Sequence, residues 1–111
     1  MATAEREQCV FCGIVDGTVP AYVVHEDDKT LAFLDINPAT EGHTLVIPKH
    51  HTEQIWDLSA EDAHALAELV VETSALLRRV VRPDGMTLFQ ANGGAGWQEV
   101  DHVHVHVVPR W

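Results

Sequence analysis

His102-Val103-His104-Val105-His106-Val107-Val108 alternates imidazole and valine without a break. Successive side chains of a β-strand point to opposite faces, so a strand over Val100–Val108 puts the three histidines on one face and sends the valines to the core. A rise of ~3.3 Å per residue sets neighbouring imidazoles ~7 Å apart, so the rings line a site and cannot all reach one atom unaided. A merely solvated edge strand would be served as well by Thr, Lys or Glu. Two chemistries suit such a row. His-x-His pairs hold zinc when a further ligand arrives from elsewhere. A neutral imidazole, with an unperturbed pKa of ~6.5, is also a nucleophile near pH 7, better matched to phosphorus than to carbon.

Immediately upstream, Asn92-Gly93-Gly94-Ala95-Gly96-Trp97-Gln98 brings three glycines and two amides. Backbone N–H groups in such a loop can approach and cradle phosphate oxygens. Further out, Tyr22–His25 and Leu31–Leu34 read as a β-hairpin around Glu26–Thr30, Thr44–Ile47 as a third strand closed by Pro48, and Met86–Ala91 as a fourth. Ser59 opens a helix over about Ala60–Val81, with Ala63, Leu66, Ala67, Val70, Ser74, Leu77 and Val81 at helical spacing. The fold class that follows is α+β: an antiparallel five-stranded sheet with one long helix and a short N-terminal helix. One domain over residues 1–111 is expected, with about residues 1–8 as a flexible tail.

Composition narrows the function classes. Seven Lys+Arg against 17 Asp+Glu give a net charge of -10, which opposes binding to long nucleic acid. No apolar run approaches the ~18 residues of a membrane span, and the polar, acidic N-terminus carries no export signal, so a cytoplasmic protein is expected. In that reducing compartment Cys9-Val-Phe-Cys12 suggests metal ligation or redox work; by spacing it supplies half of a tetrahedral zinc site.

The HφHφHφφ pattern of His102–Val108 resembles the signature of the histidine triad (HIT) superfamily, and the resemblance runs from Cys9 to Arg110. It includes Phe11 with Gly13-Ile14, Leu31-Ala-Phe-Leu-Asp35-Ile-Asn-Pro38, Gly42-His-Thr-Leu-Val-Ile-Pro-Lys49 and Val107-Val-Pro-Arg110. The chain looks like the Hint branch in its bacterial form. The resemblance implies the HIT-like fold, a homodimer, and hydrolysis of an AMP-linked substrate such as an adenosine phosphoramidate through a nucleotidyl-histidine. Dinucleoside polyphosphate hydrolysis of the Fhit type, or a regulatory module binding nucleotide or zinc, stands as the alternative.

By the same resemblance His104 is the nucleophile, His102 and His106 flank and orient it and contact phosphate, and His43 is the fourth histidine of the site. Asp35, with Ile36, binds the ribose of an AMP- or GMP-type purine nucleotide. Val10, Phe11, Ile14, Phe33 and Leu34 pack the base, and Asn92, Trp97, Gln98 and Glu99 belong to the phosphate loop. Glu99 replaces a serine of the eukaryotic members, and an ionised carboxylate can only accept a hydrogen bond. Zinc, structural and dispensable for the chemistry, is implied at Cys9, Cys12, His51 and His102. His50 and His64 read as solvent-facing, and His25 only as a strand residue.

Overall fold

The protein is described here by a computed structural model covering residues 6–111. Cys9 caps a seven-residue helix, α1 (Val10–Asp16), accepting the Cys12 N–H on Sγ at 3.3 Å, and Gly17 ends it in left-handed backbone at φ +81°. Strands β1 (Val23–Glu26) and β2 (Thr30–Leu34) form the expected hairpin. Its turn is tied by the Asp27 carboxylate, which accepts the N–H groups of Lys29 and Thr30 at 2.9 and 2.7 Å. Next come β3 (Thr44–Pro48), the long helix α2 (Ala60–Val80), β4 (Gly85–Gln90) and β5 (Val105–Arg110). The five strands form one antiparallel sheet in the order β1-β2-β3-β5-β4.

Alternation along the strands divides the interior in two. Ala32, Val46, Val103 and Val107 lie under Leu66, Leu69 and Leu77 of α2, while Leu31, Phe33, Leu45 and Ile47 face the other way and close under Phe11 of α1. Each such buried side chain contributes about 1.5–3 kcal/mol, and this packing sets the angle at which α1 meets the sheet.

Two details differ from the sequence-based expectations. The buried stripe of α2 is Leu66, Leu69, Thr73 and Leu77, whereas Ala67 is exposed and Val70 only half-buried. Spacings of three, four and four residues put Leu66, Leu69, Thr73 and Leu77 on one face, and Ala67, two residues before Leu69, points away from it. The helix begins as expected, Ser59 Oγ accepting the Asp62 N–H at 3.1 Å. The second difference lies in β5, which starts at Val105 instead of Val100. β4 leaves the ladder at Gln90, opposite Val105, and the Pro48 carbonyl of β3 accepts from the His102 ring at 2.7 Å. On the other side the pairing with β3 also stops at Val105, opposite Val46, although β3 runs on to Pro48, and the Val103 N–H donates to Thr52 O at 2.8 Å instead.

Of the expected N-terminal tail, residues 1–5 lie outside the described residues. Arg6 forms a two-bond ion pair with Asp16 of α1 at 2.8 Å. Among the described residues no helix is long and apolar enough to cross a membrane.

Candidate active site

The three histidines sit where β5 begins. His104 Nδ1 lies 2.7 Å from His102 O, and because a carbonyl only accepts, that nitrogen carries the proton. In the neutral ring Nε2 is then left with its lone pair. Phe11 meets the His104 ring edge-on at 5.1 Å and the His102 ring at 5.9 Å, so α1 packs directly against the row. His104 is only 4% exposed. The His104 and His106 ring centroids are 4.9 Å apart, closer than the backbone rise alone sets, because the rings lean together where the chain leaves the ladder.

His106 is held by a chain of directed bonds. The Ala39 N–H donates to His43 Nδ1 at 3.0 Å, which places the His43 proton on Nε2, and that N–H donates to His106 Nδ1 at 3.0 Å. His106 thus carries its own proton on Nε2. Asp35 Oδ2 stands 3.4 Å from His43 Nε2, while Oδ1 accepts the Asn37 N–H at 2.9 Å. Asp35, His43 and His106 are close enough to suggest a metal site, but His43 presents an N–H and no lone pair, so the cluster orients protons. Burial holds His43 below the usual histidine range and, with the neighbouring His104 and His43 rings, takes His106 down to about 4. Both rings are neutral at pH 7.

His102 plays a different part from the one its place in the row implies. It is fully buried; Nε2–H donates to Pro48 O, and Nδ1 points at Cys9 Sγ (3.3 Å) and Cys12 Sγ (3.6 Å). Both ring nitrogens are committed within the protein, and it is the carbonyl of His102 that holds the His104 ring. His51 Nδ1 is 3.3 Å from Cys12 Sγ. One donor atom from each of Cys9, Cys12, His51 and His102 falls within 4.8 Å of the others. Two sulfurs and two imidazole nitrogens at this separation suit tetrahedral zinc, and the bond to Pro48 leaves His102 Nδ1 with its lone pair toward the centre. Burial, followed by the effect of Cys9, pushes the Cys12 thiol up to about 12; a divalent cation would supply the charge that favours thiolate.

The amides of the glycine-rich loop are engaged within the protein. Gln98, buried, donates to Glu53 O (2.7 Å) and Val100 O (2.9 Å) and accepts the Gly93 N–H (2.7 Å). Asn92 Oδ1 accepts the Ile55 N–H at 2.7 Å, and its amide exchanges bonds with Gln90. Both residues act as braces between the loop and the segment that follows His51. Gly93 turns the chain at φ +72°, and Trp97 also adopts left-handed backbone, at φ +73°, with its indole in solvent. Glu99 lines a cavity of about 340 Å³ together with Cys9, Val10, His51, Glu53 and Asp101, on the side of the Cys9/His51 cluster.

Phe33 is buried edge-on to Phe11 at 5.4 Å, and Ile14 packs with the same cluster; these form a floor beside the histidines. Val10 of α1 is exposed, and Leu34 and the 91%-exposed Ile36 leave apolar surface free on either side of Asp35 in the chain. His25, His50 and His64 are exposed, and His25 stands 3.6 Å from Glu72. One neighbour of the site carries no motif: Phe89 of β4 stacks on His106. Only the β4–β5 register, which sets the two residues opposite each other, brings it there.

Comparison with known proteins matches residues 16–111 to the HIT domain family. The adenosine 5'-monophosphoramidase of Schizosaccharomyces pombe is 39% identical over 102 residues, 92% of this chain and 74% of that protein. Two crystal structures align across nearly the whole chain. A HIT family protein from Bacillus anthracis has a TM-score of 0.92 at 40% identity, over 95% of this chain and 74% of that one. A zinc-bound histidine triad family protein from Mycobacterium smegmatis has a TM-score of 0.89 at 41% identity, over 96% and 77%. Sequence signature, sheet order and overall likeness agree, and the chain belongs to the HIT domain family.

Proposed function

We propose that the protein hydrolyses a purine nucleoside 5'-phosphoramidate, with adenosine phosphoramidate as the simplest member, through a nucleotidyl group carried on His104. The observation that carries this reading is the 2.7 Å bond from His104 Nδ1–H to His102 O, which leaves Nε2 unprotonated and fixes the ring. In the first step Nε2 attacks the α-phosphorus, a phosphorus–histidine bond forms and the phosphorus–amine bond breaks. The departing nitrogen takes its proton from solvent, while the His106 Nε2–H, the donor beside His104, hydrogen-bonds it and His106 stays neutral. Water then adds to phosphorus, the phosphorus–histidine bond breaks to release AMP, and the proton lost by water returns to solvent. Orientation of the reacting groups and backbone N–H groups of the Gly93–Gly96 loop around the phosphate oxygens supply the acceleration. Asp35 accepts from the ribose hydroxyls, and Val10, Ile14, Leu34 and Ile36 flank the base above Phe11 and Phe33. The adenosine 5'-monophosphoramidase named in Schizosaccharomyces pombe supports the choice of substrate.

Zinc belongs to the proposal as a structural ion on Cys9, Cys12, His51 and His102; when bound it ties α1 to the residue whose carbonyl orients the nucleophile. The zinc-bound relative from Mycobacterium smegmatis supports a zinc ion in a protein of this kind. The free thiols suit a reducing, cytoplasmic setting. A homodimer is proposed at the open edge of β4, where Leu88 is exposed on a strand paired only with β5.

The test compares purified protein on adenosine phosphoramidate and on diadenosine polyphosphates, with denaturation at alkaline pH to trap nucleotidylated protein. Preferential release of AMP from the phosphoramidate, with a trapped adduct on His104, is expected. Faster turnover of the polyphosphate would move the assignment to the Fhit type, and no turnover of either would overturn the enzymatic reading.

A further inference from the structure

His106 is held by its Nδ1 alone as far as hydrogen bonds go, and one bond to one ring atom leaves an imidazole free to rock about Cβ–Cγ, a torsion with broad minima. What removes that freedom is a flat surface. Phe89 lies directly across the β4–β5 ladder from His106, and the two rings are parallel within 9° at a centroid separation of 4.0 Å. The His104 ring bounds His106 on another side at 4.9 Å and 60°. Phe89 is also 45% exposed, on an edge strand where an apolar ring gains little from burial. An aliphatic residue would fill the same space without defining a plane.

We infer that Phe89 is a positioning residue: its ring is the plate that fixes the plane of His106 and so aims the Nε2–H at the group leaving phosphorus beside His104. The inference rests on the hydrolytic reading above for the group that is aimed at, but the restraint on the ring is a property of the protein alone. The coupling runs across the sheet from a residue that bears no reactive atom. Losing the plate should therefore slow the chemical step and leave nucleotide affinity almost untouched, since Phe89 itself makes none of the ribose or base contacts.

Two substitutions separate this from a structural role. Phe89→Leu keeps apolar bulk on the strand, and Phe89→Tyr keeps the flat ring with its hydroxyl in solvent. The expected result is kcat for adenosine phosphoramidate lowered about ten-fold in Phe89→Leu with KM within about two-fold, and kcat restored in Phe89→Tyr. In NMR spectra of the full chain, the His106 ring protons should lie upfield in wild type and Phe89→Tyr, under the aromatic ring current, and return downfield in Phe89→Leu. Unchanged kcat in a folded Phe89→Leu, equal loss in both variants, or His106 resonances indifferent to the substitution would each overturn the inference. If wild type itself turns over no phosphoramidate, the functional reading falls, and the His106 resonances still judge whether Phe89 holds the ring.

Discussion

His104 and Asp35 give the most direct tests at the scale of single residues. His104→Ala should lower turnover by about three orders of magnitude or more while AMP still binds, because the nucleophile is lost and the surrounding wall is not. Calorimetry with AMP and stopped assays on the phosphoramidate check both halves. Asp35→Asn keeps an acceptor for the Asn37 N–H and so spares the turn, yet removes the charge facing the sugar; AMP should weaken by roughly 1–3 kcal/mol and a 2',3'-dideoxy analogue much less. Equal losses for the two ligands would show that the carboxylate only shapes the chain. The histidine row was legible in sequence because an i, i+2 spacing is a local pattern. The place of His102 beside Cys9 and Cys12 came from the family resemblance and not from the row: its ring is directed by Pro48 and the cysteines, 54 and 90 or more residues away, and no local pattern records which nitrogen a distant carbonyl will claim. The braces made by Gln98 and Asn92 were hidden for the same reason, since an amide beside glycines looks free until the Glu53 carbonyl and the Ile55 N–H arrive.

At the scale of elements, α1 is the segment most dependent on its surroundings. Seven residues are too few for a stable isolated helix, and this one is held by Phe11 from one side and by the Cys9/Cys12 cluster from the other. Zinc removal by a chelator should therefore accelerate amide exchange in Val10–Asp16 first and lower the melting temperature by several degrees, with a smaller fractional loss of rate in molecules that remain folded. The Cys9→Ser, Cys12→Ser pair should behave as the stripped protein does, and elemental analysis should find about one zinc per chain in wild type and none in the variant. Helix α2 was readable almost to the residue, through Ser59 and the apolar spacing. The start of β5 was not, because alternation continues through His102 and Val103 although the pairing on both sides has already stopped at Val105. Where a strand stops is decided by its partners.

For the molecule as a whole, the buried imidazoles fix how stability responds to acid. His106 is held down to about 4 and His43 is also lowered, each mainly by burial, against an unfolded value of ~6.5. Between those limits the unfolded chain binds more protons than the folded one, so stability falls as pH drops from ~6.5 toward ~4. Below that it levels off for these groups, and above ~6.5 they contribute no slope. The slope is at most ~1.4 kcal/mol per pH unit for each ring, and less for His106, which is only partly buried. Denaturant titrations at a series of pH values, with His43→Gln as comparison, measure it. The fold class was legible throughout, since strand order and packing follow from alternation and short connections. The site was legible only where one segment supplied it.

The near-complete burial of His104 beside three histidines left in the open also governs how the protein meets electrophiles. A small acylating reagent such as diethyl pyrocarbonate should consume His25, His50 and His64 early, as solvent-facing rings do, while His104 reacts late through its narrow opening. Inactivation should then trail total histidine modification, and saturating AMP should lengthen the delay. Peptide mass mapping of partly modified protein would date each ring in turn, and the surface three would serve as an internal clock for the access that the active ring allows.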